Sequence, residues 1–586
     1  MKGIGKTLGT VWRIAVPYFR SEDRWAGRIL LAAVIGIELA IVAINVLINR
    51  WNARFYDALQ NHAWDSFVSE LIYFSVLAAL FIILAVYQLY LNQWLQIRWR
   101  AWMTRHYLGE WLHDANHYRM QLTGNETDNP DQRVTEDVRM FVDQTLSLGV
   151  GLLSSVVTLA SFVVILWGLS ATAPLHLFGA DINIPGYLVW GALIYAIFGT
   201  LLTHLIGRPL IGLNFEQQKR EATFRFSLVR VRENSEQIAI LRGERAERSQ
   251  LLQKFGSVVD NWISIMVRTK KLTAFTASYS QASVVFPFIL VAPAYFAGKV
   301  QLGGMMQTAS AFSSVQGALS FFVTIYRSLA EWRSVVIRLD GFETALQRAQ
   351  TLHDSTHGAT AANKAIALRP GKKGGPIDLD ELLVHLPNGK PLAAADSIRL
   401  RMGERTLIKG PSGAGKSTLF RAIAGIWPFG HGTVTIPAGA ELMLLPQRPY
   451  FPIGSLREAV AYPSDPSAFT TEEMKQVIAA VGLPALAADL DGHRHWNATL
   501  SLGEQQRLAI ARAILHEPQY LFLDEATASL DEPSEAALYR LLDERLPHAA
   551  IISIGHRSTL AAFHEIEFEL AKDGDRFALT EQSAKG

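Results

Sequence analysis

Two short stretches of the 586-residue chain carry residue types and spacings suited to handling phosphate. Gly410-Pro411-Ser412-Gly413-Ala414-Gly415-Lys416-Ser417, followed by Thr418, fits the pattern G-x-x-x-x-G-K-S at every fixed position. Glycines so placed let backbone N–H groups curl around an anion, and the start of a following helix adds positive potential. Lys416 is expected to reach the β- and γ-phosphates of a nucleotide, and Ser417 to ligate Mg²⁺. The second stretch is Tyr520-Leu521-Phe522-Leu523-Asp524-Glu525. Its apolar run ends in two acids: Asp524 is placed to hold the Mg²⁺ shell, and Glu525 to accept a proton from an attacking water.

Such groups act only if secondary structure fixes them. A strand is expected at 405–409 before the glycine-rich loop and a helix at 418–426 after it, which is the context the loop requires. A second strand at 520–523 would deliver the acid pair. A chance glycine-rich turn accounts for none of this order.

These motifs occupy an acidic part of the chain. Residues 378–586 hold 19 Lys/Arg against 27 Asp/Glu, and residues 1–377 hold 36 against 26. Charged residues make up 18% of the whole and hydrophobic residues 49%; a soluble domain carries roughly 25% charged. The composition excludes a disordered or wholly soluble chain. The absence of cysteine excludes disulfides, thiolate metal sites and a cysteine nucleophile.

A spanning helix needs about 20 mostly apolar residues. Six stretches qualify: 29–49, 71–92, 145–168, 185–206, 273–298 and 303–329, the last two being the least apolar. The first lies too far in and runs too long for a cleavable signal peptide. Twenty-five Lys/Arg fall in the N-terminal segment and in loops 93–144 and 207–272, against three on the opposite side. That asymmetry predicts a cytoplasmic N-terminus and cytoplasmic long loops. The two loops have helical content, so they read as spanning helices that run on, reverse and return. Gly124, Asn125, Asp128, Asn129 and Pro130 mark the first reversal, and the second falls within 225–245, with Gly243 a candidate. Residues 351–376 read as a linker between a membrane domain at 1–350 and a nucleotide-binding domain at 377–586. Glu38 is the one acid within the first span; it lines a cavity or is satisfied inside the bundle.

Further motifs carry a family resemblance. Leu500-Ser501-Leu502-Gly503-Glu504-Gln505-Gln506-Arg507 resembles the ABC signature, with Leu502 and Glu504 departing from its consensus. Gln447 resembles the Q-loop glutamine, Ser529-Leu530-Asp531 the D-loop, and His556 the switch histidine. The membrane half is similar to the SbmA/BacA-like bacterial group related to peroxisomal ABC subfamily D. Asn129-Pro130-Asp131-Gln132-Arg133 and Glu221-Ala222-Thr223-Phe224-Arg225 resemble two of its motifs, the second being its EAA-like contact with the ATPase domain.

The resemblance implies an exporter-type ABC fold: an α-helical membrane domain of six transmembrane helices plus an α/β P-loop ATPase domain. It implies Gln447 and His556 beside Glu525 in catalysis, with Gln447 also at Mg²⁺. It further implies Ser501, Gly503, Glu504 and Asp531 closing on the ATP of a second copy. One P-loop and one signature per chain then require a homodimer. Its partners would be the lipid bilayer and a transported solute, with no nucleic acid. The expected role is an ATP-driven transporter of a bacterial inner membrane, importing hydrophilic compounds such as peptides or cobalamin. The alternatives are export of lipid-like, acyl-CoA or drug-like substrates, or an ATP-gated channel. Coupling would run through Asn129, Pro130, Asp131, Glu221, Phe224 and Arg225 to the region of Gln447. The segment Leu383-Val384-His385-Leu386-Pro387 lacks the Phe, Tyr or Trp that stacks on adenine in many ABC domains.

Overall fold

A computed structural model describes residues 2–122, 129–172, 175–177, 180–182, 184–357 and 365–582. It divides into two compact units: residues 1–107 with 129–342, and residues 108–128 with 343–586.

The first unit is built from long helices: Arg24–Gln60, Trp64–Leu112, Val138–Thr172, Tyr187–Glu233, Glu244–Phe296 and Leu302–His357. In a bilayer the backbone must satisfy its own polar groups, and a helix does so within one segment. At about 1.5 Å per residue, the 47 residues of Tyr187–Glu233 reach well past a hydrocarbon core of about 30 Å. Among the described residues, five helices are long and apolar enough to cross a membrane. Only 6–22% of the residues in their apolar windows are buried, a pattern for lipid rather than for a soluble core. The sixth expected stretch, 303–329, lies within Leu302–His357, which is not among those five.

The helices interlock through specific pairs. Tyr195 and Tyr279 stack at 4.4 Å, and each hydroxyl donates to the other's carbonyl, at 2.6 and 3.0 Å. A Cβ at Gly199 would lie 2.3 Å from the Tyr279 ring, so only glycine admits this contact. Asp137 is buried and takes Arg133 at 2.6 Å and a two-point contact from Arg338 at 2.5 and 2.9 Å. The second reversal is short: helix Ser235–Ile240, then Arg242 at φ 51° and Gly243 opening the next helix. Of the first reversal, Gly124, Asn125 and Asp128 lie outside the described residues.

In the second unit, parallel strands run in the order Leu442–Leu445, Tyr520–Asp524, Ala550–Ile554, Arg405–Lys409. Their register is close, with Leu523 opposite Ser553 and Ser553 opposite Leu407. Apolar side chains fill both faces, one around Leu508, Leu521 and Trp496, the other around Phe420, Phe522 and Ile552. Residues 351–376 are not a uniform linker. Helix Leu302–His357 runs into them, and Ala367–Gly371 is a strand parallel to Gly430–Pro437. Its Pro and Gly disguise a strand that takes its ladder from a neighbour.

The unit also contains a segment expected in the membrane domain. Helix Asn116–Leu122 carries a buried Arg119 whose guanidinium donates to the Asp114 carbonyl and lies 3.4 Å from that of Gly425. Leu122 packs against the apolar face that includes Phe420. Gly425 lies two residues beyond the P-loop helix Lys416–Ile423.

Candidate functional site

Ligands of open α/β sheets bind beyond the carboxyl ends of the strands, and four such ends converge here. Arg405–Lys409 leads into Gly410, Tyr520–Asp524 into Glu525, Ala550–Ile554 into Gly555-His556, and Leu442–Leu445 into Pro446-Gln447. The loop needs its glycines at three points, the first being Gly410 at φ 147°. Gly413 and Gly415 have φ of 79° and 95°, and a Cβ on Gly415 would come within 2.8 Å of Leu392.

Lys416 is buried, and its ammonium donates to the carbonyls of Gly410 and Pro411 at 2.8 and 2.9 Å. Burial pushes it below the ordinary lysine value, while Glu525 and Asp524 oppose the fall. Ser417 Oγ donates to Asp524 Oδ1 at 2.8 Å. Burial raises the Asp524 carboxyl, against the hydrogen bond from Ser417, and the charge of Glu525 adds to the rise. A desolvated Asp524 with a second acid beside it favours a cation. Hydroxyl and carboxylate oxygens are the hard ligands Mg²⁺ takes, so the residues fit that ion.

Glu525 has φ 52°, in the left-handed region that non-glycine residues rarely adopt. Its N–H donates to the Ile554 carbonyl, which helps hold that conformation. One carboxylate oxygen accepts from Gln447 Nε2 at 3.1 Å, and the other lies 3.3 Å from His556 Nε2. Lys416, Ser417, Asp524, Glu525, Gln447 and His556 are thus gathered into one constellation.

Ser501, Gly503, Glu504 and Asp531 gather elsewhere, around a groove of about 350 Å³ that none of residues 410–418 lines. Ser501 caps helix Leu502–His516: its Oγ accepts from the Glu504 N–H at 3.3 Å, and Glu504 accepts from the Ser501 N–H at 2.9 Å. The unusual Glu504 therefore completes a capping box. The adenine-side segment supplies a packed histidine instead of a larger aromatic, with His385 meeting His431 edge to face at 5.5 Å.

Three links escaped the motif reading. Gln506, fully buried, donates to the Gln447 carbonyl and accepts from the Ser529 N–H, both at 3.0 Å. Arg557 donates to the carbonyls of Leu530 and Ala528 at 2.7 and 3.2 Å. It also reaches buried Glu535, which accepts from Thr527 Oγ1 at 2.6 Å. The adjacency of Arg557 to His556 was the one available signal. Arg557→Ala leaves Glu535 short of a partner and should destabilise the fold by about 1–3 kcal/mol. A lowered Tm of the purified chain checks this, and Arg557→Lys should recover only part of the loss.

In the membrane unit, Glu38 is buried and accepts from Gln88 on the neighbouring helix, so it is satisfied within the bundle. Asn129 precedes helix Pro130–Gln132, and the Asp131 carbonyl accepts from Thr135 at 2.7 Å. Glu221 is exposed and accepts from Gln217 at 2.9 Å. Phe224 packs 5.4 Å from Phe255, and Arg225 is exposed.

Residues 14–296 match the family model described as ABC transporter transmembrane region 2, and residues 394–528 the model described as ABC transporter. An inner membrane ABC transporter ATP-binding protein of Escherichia coli, YddA, is 34% identical over 92% of this chain and 93% of its own. The human lysosomal cobalamin transporter ABCD4 is 24% identical over 96% of this chain and 94% of its own. The solved structure of a bacterial Atm1-family ABC exporter with ATP bound superposes with a TM-score of 0.70 at 17% identity, covering 94% of both chains. That likeness gives the fold of the molecule.

Proposed function

The chain belongs to the ABC transporter family, as a half-transporter related to subfamily D, and from that premise we propose how its ATPase drives a transport cycle. It is a multi-pass membrane protein whose ATP hydrolysis is coupled to transport. Two copies form the working unit, and each ATP is held between the loop 410–418 of one chain and Ser501, Gly503, Glu504 and Asp531 of the other. The observation that carries this reading is the separation, within one chain, of the signature groove from the P-loop residues.

Lys416 binds the terminal phosphates, Glu525 takes a proton from the attacking water, and His556 and Gln447 hold its carboxylate in place. Ser417, Asp524 and Gln447 would hold Mg²⁺, which neutralises phosphoryl charge when bound. Closure of the dimer moves the cytoplasmic helix ends, through Asn129–Asp131 and the surface of Glu221, Phe224 and Arg225, and so turns the spans alternately to the two sides.

The solute is hydrophilic and peptide-like or cobalamin-like, taken up across a bacterial inner membrane. The relative named as a cobalamin transporter supports a polar cargo, and so does the hydroxyl content of 273–329. The excess of Lys and Arg supports a cytoplasmic N-terminus and ATPase domain.

The test is ATP-dependent accumulation of labelled peptides and cobalamin in proteoliposomes. Accumulation against a gradient that Lys416→Ala abolishes is expected. Downhill flux only, gated by ATP, would mark a channel instead. Within this assay, Glu221→Ala combined with Arg225→Ala should cut accumulation at least tenfold while basal ATPase changes less than twofold, estimates on the scale of about 1.4 kcal/mol per tenfold. Equal loss of both activities would assign these residues to stability.

A further inference from the structure

Between helices Val138–Thr172 and Leu302–His357 lies a groove of about 380 Å³ lined by Ser154, Ser155, Thr158, Ser314, Ser320 and Phe321, among others. Its size falls within the range of about 300–1,000 Å³ typical of small-molecule sites. Ser154–Thr158 sit midway along the apolar stretch 145–168, and Ser314–Phe321 midway along 303–329, so both walls stand at mid-membrane depth.

A hydroxyl in a spanning helix ordinarily donates back to a carbonyl one turn earlier. Ser314 does so to Ser310 at 3.1 Å, Thr308 to Gly304 at 2.8 Å and Ser170 to Leu166 at 2.8 Å. Ser154, Ser155, Thr158 and Ser320 make no such bond among the described residues, and Ser155 is 9% exposed. Facing lipid, four unmet hydroxyls would be costly, because hydrocarbon offers no partner. Facing a polar occupant, they are donors and acceptors ready for use. Among the described residues, the groove lining carries no charged side chain. Phe321 closes part of it as an apolar plate, seated so near Gly151 that a Cβ there would lie 2.8 Å from the ring.

We propose that this groove is a subsite of the transport pathway that takes an uncharged, hydrogen-bonding portion of the solute, amide- or hydroxyl-bearing. The proposal rests on the transport reading and assigns it a place and a chemistry. An ionised group would meet no countercharge among the described lining residues, whereas a peptide unit or a sugar-like diol finds matching hydroxyls on two walls and an apolar plate.

The chain has no native cysteine, so Ser155→Cys and Thr158→Cys can be followed in the full-length protein in proteoliposomes. Val164→Cys, at a position 72% exposed on the same helix, is the lipid-facing control. A hydrophilic methanethiosulfonate should label positions 155 and 158 at least tenfold faster than position 164. N-acetyl-trialanine amide and maltotriose then serve as uncharged amide and uncharged hydroxyl probes, with citrate as a charged control. At least one neutral probe should slow labelling of Ser155→Cys several-fold and saturably, and citrate should not. Which one protects identifies the source of the hydrogen-bonding groups.

A Cβ at Gly317 meets nothing within 4 Å, so Gly317→Leu should fill the groove and abolish protection while eluting like the parent on size exclusion. Labelling confined to a hydrophobic maleimide would overturn the proposal, as would fast labelling that neither neutral probe slows. If either occurs while Lys416-dependent accumulation persists, the groove assignment fails and the transport reading stands.

Discussion

Glu525→Gln should leave ATP binding close to that of the parent and lower turnover by on the order of 10²–10⁴-fold, the usual worth of a positioned general base. The substitution keeps size and hydrogen-bonding reach but removes the basic oxygen. Three features single out this carboxylate from other acids of the domain. Its backbone is held at φ 52°, an arrangement that costs roughly 1–3 kcal/mol and persists where the surroundings enforce it. Both its oxygens are engaged, by Gln447 at 3.1 Å and by His556 at 3.3 Å. Its neighbour Asp524 is occupied with Ser417 at 2.8 Å, which leaves the two acids with different tasks. With binding intact and hydrolysis stopped, ATP should hold the dimer closed, seen as a stable ATP-dependent dimer interface by cross-linking. Phosphate release within a few-fold of the parent rate would remove Glu525 from the chemical step. Loss of ATP binding would show instead that its charge supports the loop.

The phosphate site was legible because its chemistry fixes both residue type and spacing. A P-loop needs glycine at set positions and lysine at one, and strand, loop and helix follow in a single local stretch. Glu504 was legible only as an exception. Its reason, the reciprocal cap with Ser501, lies in a backbone geometry that a motif does not encode. Arg557, Glu535 and Gln506 were hidden for a related cause: their partners sit 8–59 residues away and include backbone carbonyls, which have no sequence signature. Ala367–Gly371 shows the same limit for strands, since its pairing is decided by Gly430–Pro437 rather than by its own alternation. In the membrane half, hydropathy picked out apolar stretches that lie within long helices, but not what those helices do beyond the stretches. The anchoring of Asn116–Leu122 beside Gly425 depends on one buried arginine in a stretch that otherwise reads as basic surface.

Mixing two inactive chains should restore activity if the ATP site is shared. Lys416→Ala removes the phosphate cation, and Ser501→Arg obstructs the signature face, so either homodimer has two broken sites. A heterodimer of the two has one doubly broken site and one that is intact, made from the second chain's Lys416 and the first chain's Ser501. Random pairing of equal amounts makes half the dimers mixed, so about one quarter of parental activity is expected if each site fires independently. The physical basis is that the signature groove is lined by Ser501, Gly503, Glu504 and Asp531 without any P-loop residue. Ser501 also starts a 15-residue helix, whose N-terminal N–H groups and dipole suit a phosphate delivered from outside the chain. The arginine removes a cap worth about 1 kcal/mol, so each variant must first be shown to purify as a single species and to exchange subunits. Recovery near one quarter supports independent sites, and recovery well below it supports sites that must fire together. Mixtures as inactive as either parent, with heterodimers demonstrated by tag pull-down, would mean that each chain completes its own site and that the two-fold arrangement is wrong.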